Sequence, residues 1–239
     1  MAEPPEWESF EWLSETRQLL KWVNQVNVRT PMMLVVRHSH REESNNVQEL
    51  RMKELTPLGH RMAMRFGEKL PFGRDIKLFY SSHVRCVQTA RDIAEGYRSI
   101  GGSTELVSDI RVLLGPFGSG QKIAEQIMEG GGAAFVIKWS EGQLSADTIE
   151  PIELFRDRFI AEIVGRFALA KTHELQVHVT HDLVIMGARL VLLKTQPTGS
   201  NWSRFLGGFG AAFDGGGVCV FEDGQARAEP ELASLLSGH

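Results

Sequence analysis

The chain has 239 residues, of which 42% are hydrophobic and 23% are charged, as is usual for a globular protein with a sizeable core. Its formal net charge of -4 argues against general binding to nucleic acid or to an anionic membrane, because both require a basic surface. Cys86 and Cys219 form no paired-spacing motif, so we expect neither a disulfide framework nor a zinc site. The acidic N-terminus and the absence of a long apolar segment predict a cytoplasmic protein.

The first part of the chain predicts a helix, a buried strand and a second helix. Residues 6–25 have the apolar spacing of an amphipathic helix, which we interpret as a packing appendage or, alternatively, as an oligomer interface. The apolar run at 32–36 is typical of a strand that is buried on both faces. Thr56 can cap the next helix, and Pro57 suits the first turn of that helix.

A second strand–helix unit follows. Residues 76–82 predict the strand, and Ser81 or Ser82 is expected to cap the helix after it. Residues 104–109 are consistent with a short third strand.

Residues 111–150 are rich in glycine, and helical patterns are confined to about 121–129 and 134–140. One interpretation of this segment is an insertion or cap over a site. Pro151 then opens a clear helix, and residues 175–180 predict another strand, followed by a helix.

The chain closes with a predicted hairpin whose turn is Asp223-Gly224. The run at 207–217 contains so many glycines that it predicts a flexible turn, and it lacks the context of a nucleotide-binding fingerprint. The alternation of strands and helices predicts a three-layer α/β fold, with a mostly parallel central sheet flanked by helices. We expect residues 1–239 to form a single domain, because no long linker interrupts them.

Unusual polar residues follow three of the predicted strands. The strand ends carry "RHSHR" at 37–41, "SSHVRCVQTA" at 81–90 and "THD" at 180–182. The carboxyl ends of parallel strands meet at one edge of a sheet, which is where such sheets bind ligands. Three arginines gathered there would repel one another without an anion, and guanidinium groups match phosphate oxygens. The predicted phosphate pocket contains Arg37, His38, Arg41, Arg85 and His181.

The same blocks resemble a known family. "RHSHR" looks like the Arg-His-Gly-x-Arg signature of the histidine phosphatase superfamily, whose fold is phosphoglycerate-mutase-like. "LTPLGHRMA", "YSSHVRCVQTA" and "VTHD" are similar to that family's Leu-Thr-x-x-Gly segment, its Ser-Ser-x-x-x-Arg-x-x-Gln-Thr-Ala block and its late His motif. The four blocks occur in the family's order and cover most of residues 33–190.

The resemblance implies a reaction mechanism. His38 would attack phosphorus and form a phosphohistidine, and neither a metal nor another cofactor would be required. The phosphoryl oxygens would be held by Arg37, Arg41, Arg85 and His181. In the acid-phosphatase branch the residue after the late His protonates the leaving oxygen, and that residue is Asp182 here. The mutase branch uses a Glu after the third strand, and "SDIRVLLGPFG" contains none, so we select Asp182 as the catalytic acid.

We therefore expect a phosphatase that acts on a small-molecule phosphate ester. The alternatives are a phosphoglycerate-mutase-type phosphotransferase, a metal-dependent hydrolase that begins with "HSH", and a phosphate-binding protein without turnover. Two points argue against the metal-dependent hydrolase: the chain is short for the barrel of eight β/α units that it would need, and metal ligation does not require three arginines.

Substrate specificity should lie in residues 111–150 and 42–54. Ser39 replaces the family's glycine, and we expect its hydroxyl to crowd the backbone or donate to phosphate. We expect His40 and His83 to lie at the rim of the phosphate pocket.

Overall fold

The computed structural model describes residues 5–44, 49 and 52–237, and its centre is one sheet. Its strands are β1 (Met32–Arg37), β2 (Asp75–Tyr80), β3 (Ser103–Asp109), β4 (Glu174–Thr180), β5 (Gly208–Asp214), β6 (Gly217–Glu222) and β7 (Gln225–Ala228). They are arranged in the order β3-β2-β4-β1-β5-β6-β7. The first four strands are parallel to one another, and the last three are joined to the sheet in antiparallel fashion. The predicted α/β fold, with a sheet whose core is mostly parallel, is confirmed.

Helices cover both faces of this sheet. They are α1 (Pro5–Ser9), α2 (Ser14–Gln25), α3 (Pro57–Glu68), α4 (Val84–Ser99), α5 (Gly120–Gly130), α6 (Gly132–Ser140), α7 (Ile152–Phe159), α8 (Gly165–Ala168), α9 (Asp182–Leu193) and α10 (Pro230–Ser237). Two 3₁₀ turns lie at Glu11–Leu13 and Arg111–Leu114, and a π-helical turn at Ile160–Val164 joins α7 to α8. Within the described residues, no helix combines the length and the apolar character that crossing a membrane requires.

Strand β1 shows why the fold has three layers. Met33 and Val35 face one apolar cluster, which includes residues of α6, α7, α9 and α10. Met32, Leu34 and Val36 face a second cluster, built with α2, α3 and α4. A strand that is apolar on both faces is stable only when both faces are covered. The N-terminal segment therefore packs as part of the core, while oligomer formation through it stays a prediction, as does the single-domain organisation.

The prediction of a flexible turn at 207–217 was wrong, because Gly208–Asp214 is β5 and pairs with β1 in the middle of the sheet. Its glycines are explained by close neighbours. A Cβ atom on Gly208 would lie 1.9 Å from the carbonyl oxygen of Val35, and one on Gly210 would lie 2.5 Å from the Trp22 ring. Glycine in a strand often marks such a close approach.

The two predicted helix caps have different outcomes. Thr56 does cap α3, since its hydroxyl accepts a hydrogen bond from the backbone N–H of Gly59 at 3.0 Å. Neither Ser81 nor Ser82 caps α4, because the residue before this helix is His83, and its side chain makes no capping hydrogen bond. The Ser81 hydroxyl is directed toward the phosphate pocket predicted from the sequence.

The closing hairpin has the predicted turn. Asp223 and Gly224 join β6 to β7 with φ angles of 50° and 77°. Positive φ at both central residues is the geometry that fits the twist of a two-residue hairpin.

Candidate active site

The carboxyl ends of β2, β4 and β1, which are neighbours in the sheet, open into one cavity of about 490 Å³. The structure brings together every site residue predicted from the sequence, and the cavity is lined by Arg37, His38, Arg41, Arg85, His181 and Asp182. His83 also lines the cavity. His40 instead hydrogen-bonds Thr56 and packs between the rings of Trp12 and Phe205.

His38 is held with one ring nitrogen facing the protein. Its Nδ1 lies 2.8 Å from the carbonyl oxygen of Ser39, which can only accept a hydrogen bond, so Nδ1 carries the hydrogen and Nε2 keeps its lone pair. The side chain is nearly inaccessible, at 2% exposure. Burial, followed by the charge of Arg37, lowers the pKa of His38 well below its usual value. The imidazole is therefore neutral, as a nucleophile must be.

Ser39 takes neither of the roles expected for it. Its hydroxyl donates to the carbonyl oxygen of Gly59 in α3 at 2.7 Å, and its backbone N–H donates to the Thr89 hydroxyl of α4. The serine thus ties the loop after β1 to two helices. Gly59 is required at this contact, because a Cβ atom there would lie 2.1 Å from the carbonyl oxygen of His40.

Arg37 is fixed by three partners. One Nη atom forms a 2.8 Å ion pair with Asp182, the other donates to the carbonyl oxygen of Ser203 at 3.0 Å, and the guanidinium stacks on Phe205 with 4.4 Å between its central carbon and the ring centroid. Such contacts hold the planar guanidinium in one orientation before any ligand arrives.

Arg41 is less constrained. It donates to the carbonyl oxygen of Glu42 and forms a 3.0 Å ion pair with Glu43, whose side chain is exposed. Among the described atoms, the buried Nε of Arg37 and that of Arg41 have no acceptor. Buried donors normally have a partner, and the oxygens of a bound anion would supply one.

His181 lies in a small network below the cavity. Its Nε2 is 3.1 Å from the Ser81 hydroxyl and 3.0 Å from Nδ1 of His83, while its Nδ1 is 3.2 Å from Nη2 of Arg85. Arginine can only donate, so Nδ1 is the acceptor and Nε2 carries the hydrogen. Burial, followed by the charge of Arg85, lowers the pKa of His181 well below its usual value. A phosphoryl oxygen accepts hydrogen bonds, so His181 can bind one through Nδ1 only when that nitrogen carries a hydrogen and no longer accepts from Arg85.

Asp182 is an ionised carboxylate in the free protein. One oxygen accepts from the backbone of Leu183, and the other accepts from Arg37 and from the Trp202 indole at 3.2 Å. Burial acts to raise the pKa of Asp182, but Arg37 and the hydrogen bond from Trp202 outweigh it, so the pKa lies below its usual value. Among the described residues, no other carboxylate lines the cavity.

Sequence reasoning missed residues 202–205 altogether, and in the segment 111–150, where it expected specificity, it named no individual side chains. Residues 202–205 contribute Trp202, Ser203 and Phe205, which position Arg37 and Asp182, and nothing in their local pattern signals that role. The segment 111–150 supplies an apolar wall that includes Leu114 and Phe117. Large apolar side chains in a glycine-rich loop were the available signal for this wall.

The model of one family, the histidine phosphatase superfamily (branch 1), matches residues 33–205. The chain belongs to this superfamily. No curated protein matches it. His38, Arg85 and His181, from three of the four sequence blocks that indicated the superfamily, line the cavity, and Gly59 of the remaining block packs against the loop after β1.

Solved structures of similar fold agree with the superfamily. A phosphoglycerate mutase from Bacillus anthracis str. Sterne has 14% identity and a TM-score of 0.50, over 87% of this chain and 96% of its own. YhfR from Bacillus stearothermophilus has 19% identity and a TM-score of 0.52, over 84% and 98%. Mycobacterial hydrolase 1 has 17% identity and a TM-score of 0.50, over 83% and 96%. Identities this low support the fold alone.

Proposed function

We propose that this protein is a phosphatase that hydrolyses a phosphate monoester through a phosphohistidine on His38, without a metal ion. The observation that carries the proposal is the orientation of His38, whose Nδ1 is bound to Ser39 so that the free Nε2 lone pair remains for attack. Arg37, Arg41 and Arg85 line the same cavity and can hold the phosphoryl oxygens. Within the described residues, no His, Cys, Asp or Glu cluster is arranged to hold a metal ion.

In the first step, Nε2 of His38 forms a bond to phosphorus while the ester P–O bond breaks. The guanidinium groups stabilise the charge on the three non-bridging oxygens. Asp182 gives a proton to the leaving oxygen, so an alcohol departs and the carboxylate is regenerated.

The proton on Asp182 must arrive with the substrate, since the free carboxylate is ionised and paired with Arg37. A phosphate monoester has a second pKa of about 6, so a substantial part of it is a protonated monoanion near neutral pH. When its oxygens take the donors of Arg37, Asp182 loses its counter-charge and gains an anionic neighbour. Both changes raise the proton affinity of Asp182, and the substrate's proton moves there.

In the second step, a water molecule attacks phosphorus and the P–N bond to His38 breaks. Asp182 accepts a proton from the water, and inorganic phosphate leaves with neutral His38 restored. The same carboxyl group thus acts as acid in one step and as base in the other.

A phosphoglycerate mutase is the main alternative, and one structure of similar fold carries that name. A mutase would pass the phosphoryl group from His38 to a second phosphoglycerate, whose own carboxylate needs a cation. Among the described residues, no cation lines the cavity outside the phosphate cluster. Transfer between phosphoglycerates without release of inorganic phosphate would favour the mutase.

The test is turnover of 4-nitrophenyl phosphate with and without EDTA by the wild type, by His38→Ala and by a matched control, His60→Ala. His60 lies on α3, pairs with Asp92 and does not line the cavity. We expect the wild type and the control to be active in EDTA and inhibited by vanadate, and His38→Ala to have no detectable turnover. Alkaline quenching during turnover should trap an acid-labile phosphohistidine in the wild type only. EDTA-sensitive activity, or full activity of His38→Ala, would contradict the mechanism.

A further inference from the structure

The cavity extends beyond the phosphate cluster along an apolar wall. The side chains that line this part are Leu114, Pro116, Phe117, Ile123, Leu183 and Val184. They include no charged group, and between them lie only Gly115, Gly118 and Gly120. Leu114 and Phe117 are each 41% exposed, and with their apolar neighbours they form a continuous lining of the kind found in ligand sites.

Phe117 is held firmly in this wall. Its backbone N–H donates to a carboxylate oxygen of Glu150 at 2.7 Å, and its carbonyl oxygen accepts from the backbone N–H of Glu150 at 2.7 Å. The guanidinium of Arg158 pairs with the same carboxylate and stacks on the Phe117 ring, with 3.9 Å between its central carbon and the centroid. A phenylalanine whose backbone and ring are both held by contacts can bind a ligand without losing much side-chain entropy.

The wall is also fixed relative to the phosphate cluster. The hydroxyl of Thr180, the residue before His181, donates to the carbonyl oxygen of Leu113 at 2.6 Å. This bond ties the end of β4 to the 3₁₀ turn that ends at Leu114, three residues before Phe117. A phosphoryl group bound at His38 must therefore direct its ester substituent along the apolar wall or out into solvent.

We propose that the natural substrates are phosphate monoesters whose leaving group carries an uncharged apolar ring and no second anion, and that Phe117 determines this specificity. The proposal rests on the phosphatase function proposed above. The cationic residues nearest the wall are Arg111 and Arg158, which both stack on the Phe117 ring, and Lys122 of α5, which pairs with Asp147. Arg158 also pairs with Glu150, and none of these three cations lines the cavity, which supports the proposal.

The test compares benzyl phosphate with 2-carboxyethyl phosphate. Both leaving groups are primary alkoxides, so intrinsic reactivity differs little and the comparison reports on the binding of the substituent. For the wild type we expect a kcat/KM at least about tenfold higher for benzyl phosphate. Phe117→Ala should lower that ratio about tenfold by reducing the rate on benzyl phosphate alone, since the variant loses the apolar contact with the substrate ring.

Two further variants complete the design. Phe72→Ala is the matched control, because Phe72 is 67% exposed and lies before β2, at the opposite end of that strand from the cavity. It should leave the ratio unchanged. Phe117→Lys places a cation on the wall and should reverse the preference in favour of 2-carboxyethyl phosphate. Equal kcat/KM values in the wild type, or an unchanged ratio in both Phe117 variants, would overturn the proposal.

Binding of non-hydrolysable analogues separates this inference from the phosphatase function. Calorimetry with benzylphosphonate and 2-carboxyethylphosphonate needs no turnover, and the benzyl compound should bind at least about tenfold more tightly to the wild type. If neither ester is hydrolysed but the benzyl preference in binding is present and depends on Phe117, the specificity stands and the phosphatase function fails. If esters are hydrolysed without any benzyl preference, the phosphatase function stands and the specificity fails.

Discussion

In the proposed mechanism, His38 must be neutral to attack phosphorus, yet it has to lie beside the cations that would bind the substrate. The structure meets both requirements with the same groups. Burial and the charge of Arg37 lower the pKa of His38, so the guanidinium that attracts the phosphate also keeps the imidazole unprotonated. The predicted position of His38 at a strand end was enough to place it in the cavity. Its protonation state depends on neighbours that the sequence pattern does not identify.

Asp182 shows the limit of residue-level prediction more sharply. Its place after His181 suggested an acid, but its ion pair with Arg37 and its hydrogen bond from Trp202 became visible only in the structure. Both partners are remote in sequence, and side-chain direction decides whether they meet. A carboxylate held in this way can serve as an acid only after the substrate has displaced Arg37.

We predict that Asp182→Asn affects poor leaving groups selectively. For an alkyl phosphate, kcat should fall by about 10²–10⁴-fold, because the alkoxide cannot leave without a proton. For 4-nitrophenyl phosphate the first release of nitrophenolate should slow by less than about tenfold, since that stable anion leaves without a proton. Single-turnover kinetics on both esters measure this first step apart from the second, in which Asp182 acts as base, with Asp157→Asn as the control on an exposed carboxylate that pairs with Arg156. Equal losses on the two esters would remove Asp182 from the role of acid.

At the scale of elements, the cap and first turn predicted at Thr56 and Pro57 mark the start of α3, and Met62 and Phe66 of this helix are buried in the second cluster. What such local signals could not predict is how closely α3 approaches its neighbours. Gly59 touches the loop after β1, and Gly67 touches α4, where a Cβ atom would lie 2.1 Å from the carbonyl oxygen of Ile93. The same limitation explains the error at β5, whose glycines indicate contact with Val35 and Trp22 and not flexibility.

We expect Gly59→Ala to lower the proposed phosphatase activity by displacing the loop that carries His38. The new methyl group must displace the carbonyl of His40 and with it the loop that carries His38, and a misplacement of about 1 Å can cost about 10²-fold in rate. Overpacking should also lower the free energy of unfolding by about 1–3 kcal/mol. Urea unfolding and kcat per folded molecule measure the two effects. Gly199→Ala is the control, since nothing lies within 4 Å of that position, and a fully active Gly59→Ala would contradict the expectation.

For the whole molecule, sequence reasoning needed only that the strands be parallel to bring their polar ends to one edge. The order of the strands in the sheet was not predictable, because it depends on which buried faces match over long distances.

His178 lies in the central strand β4. It is fully buried, stacks on Phe79 of β2 and approaches the side-chain oxygen of Gln176 at 3.3 Å. Burial lowers the pKa of His178 to about 3, with a smaller effect from Arg166.

This buried imidazole predicts a loss of stability in acid. The unfolded chain binds the proton near pH 6.5 and the folded protein near pH 3, so His178 destabilises the fold progressively as pH falls through that window, by up to about 1.4 kcal/mol per pH unit. Urea unfolding between pH 4 and 7 should show a steeper dependence in the wild type than in His178→Leu. Gly199→Ala, which alters no titratable group and has nothing within 4 Å of the added methyl, should keep the wild-type slope. Parallel pH dependence of wild type and His178→Leu would show that His178 is protonated in the folded protein.

Strand β4 pairs with both β1 and β2, although both precede it by a long stretch of chain. While the ribosome is still making residues before Glu174, His38 and Arg85 are carried by segments that share no strand edge. The nascent chain therefore has no phosphate pocket, and the unpaired edges of β1 and β2 are open to wrong partners. The pocket forms only when β4 is inserted between β1 and β2, late in synthesis, and the time for which those edges stay exposed depends on how quickly β4 pairs with them.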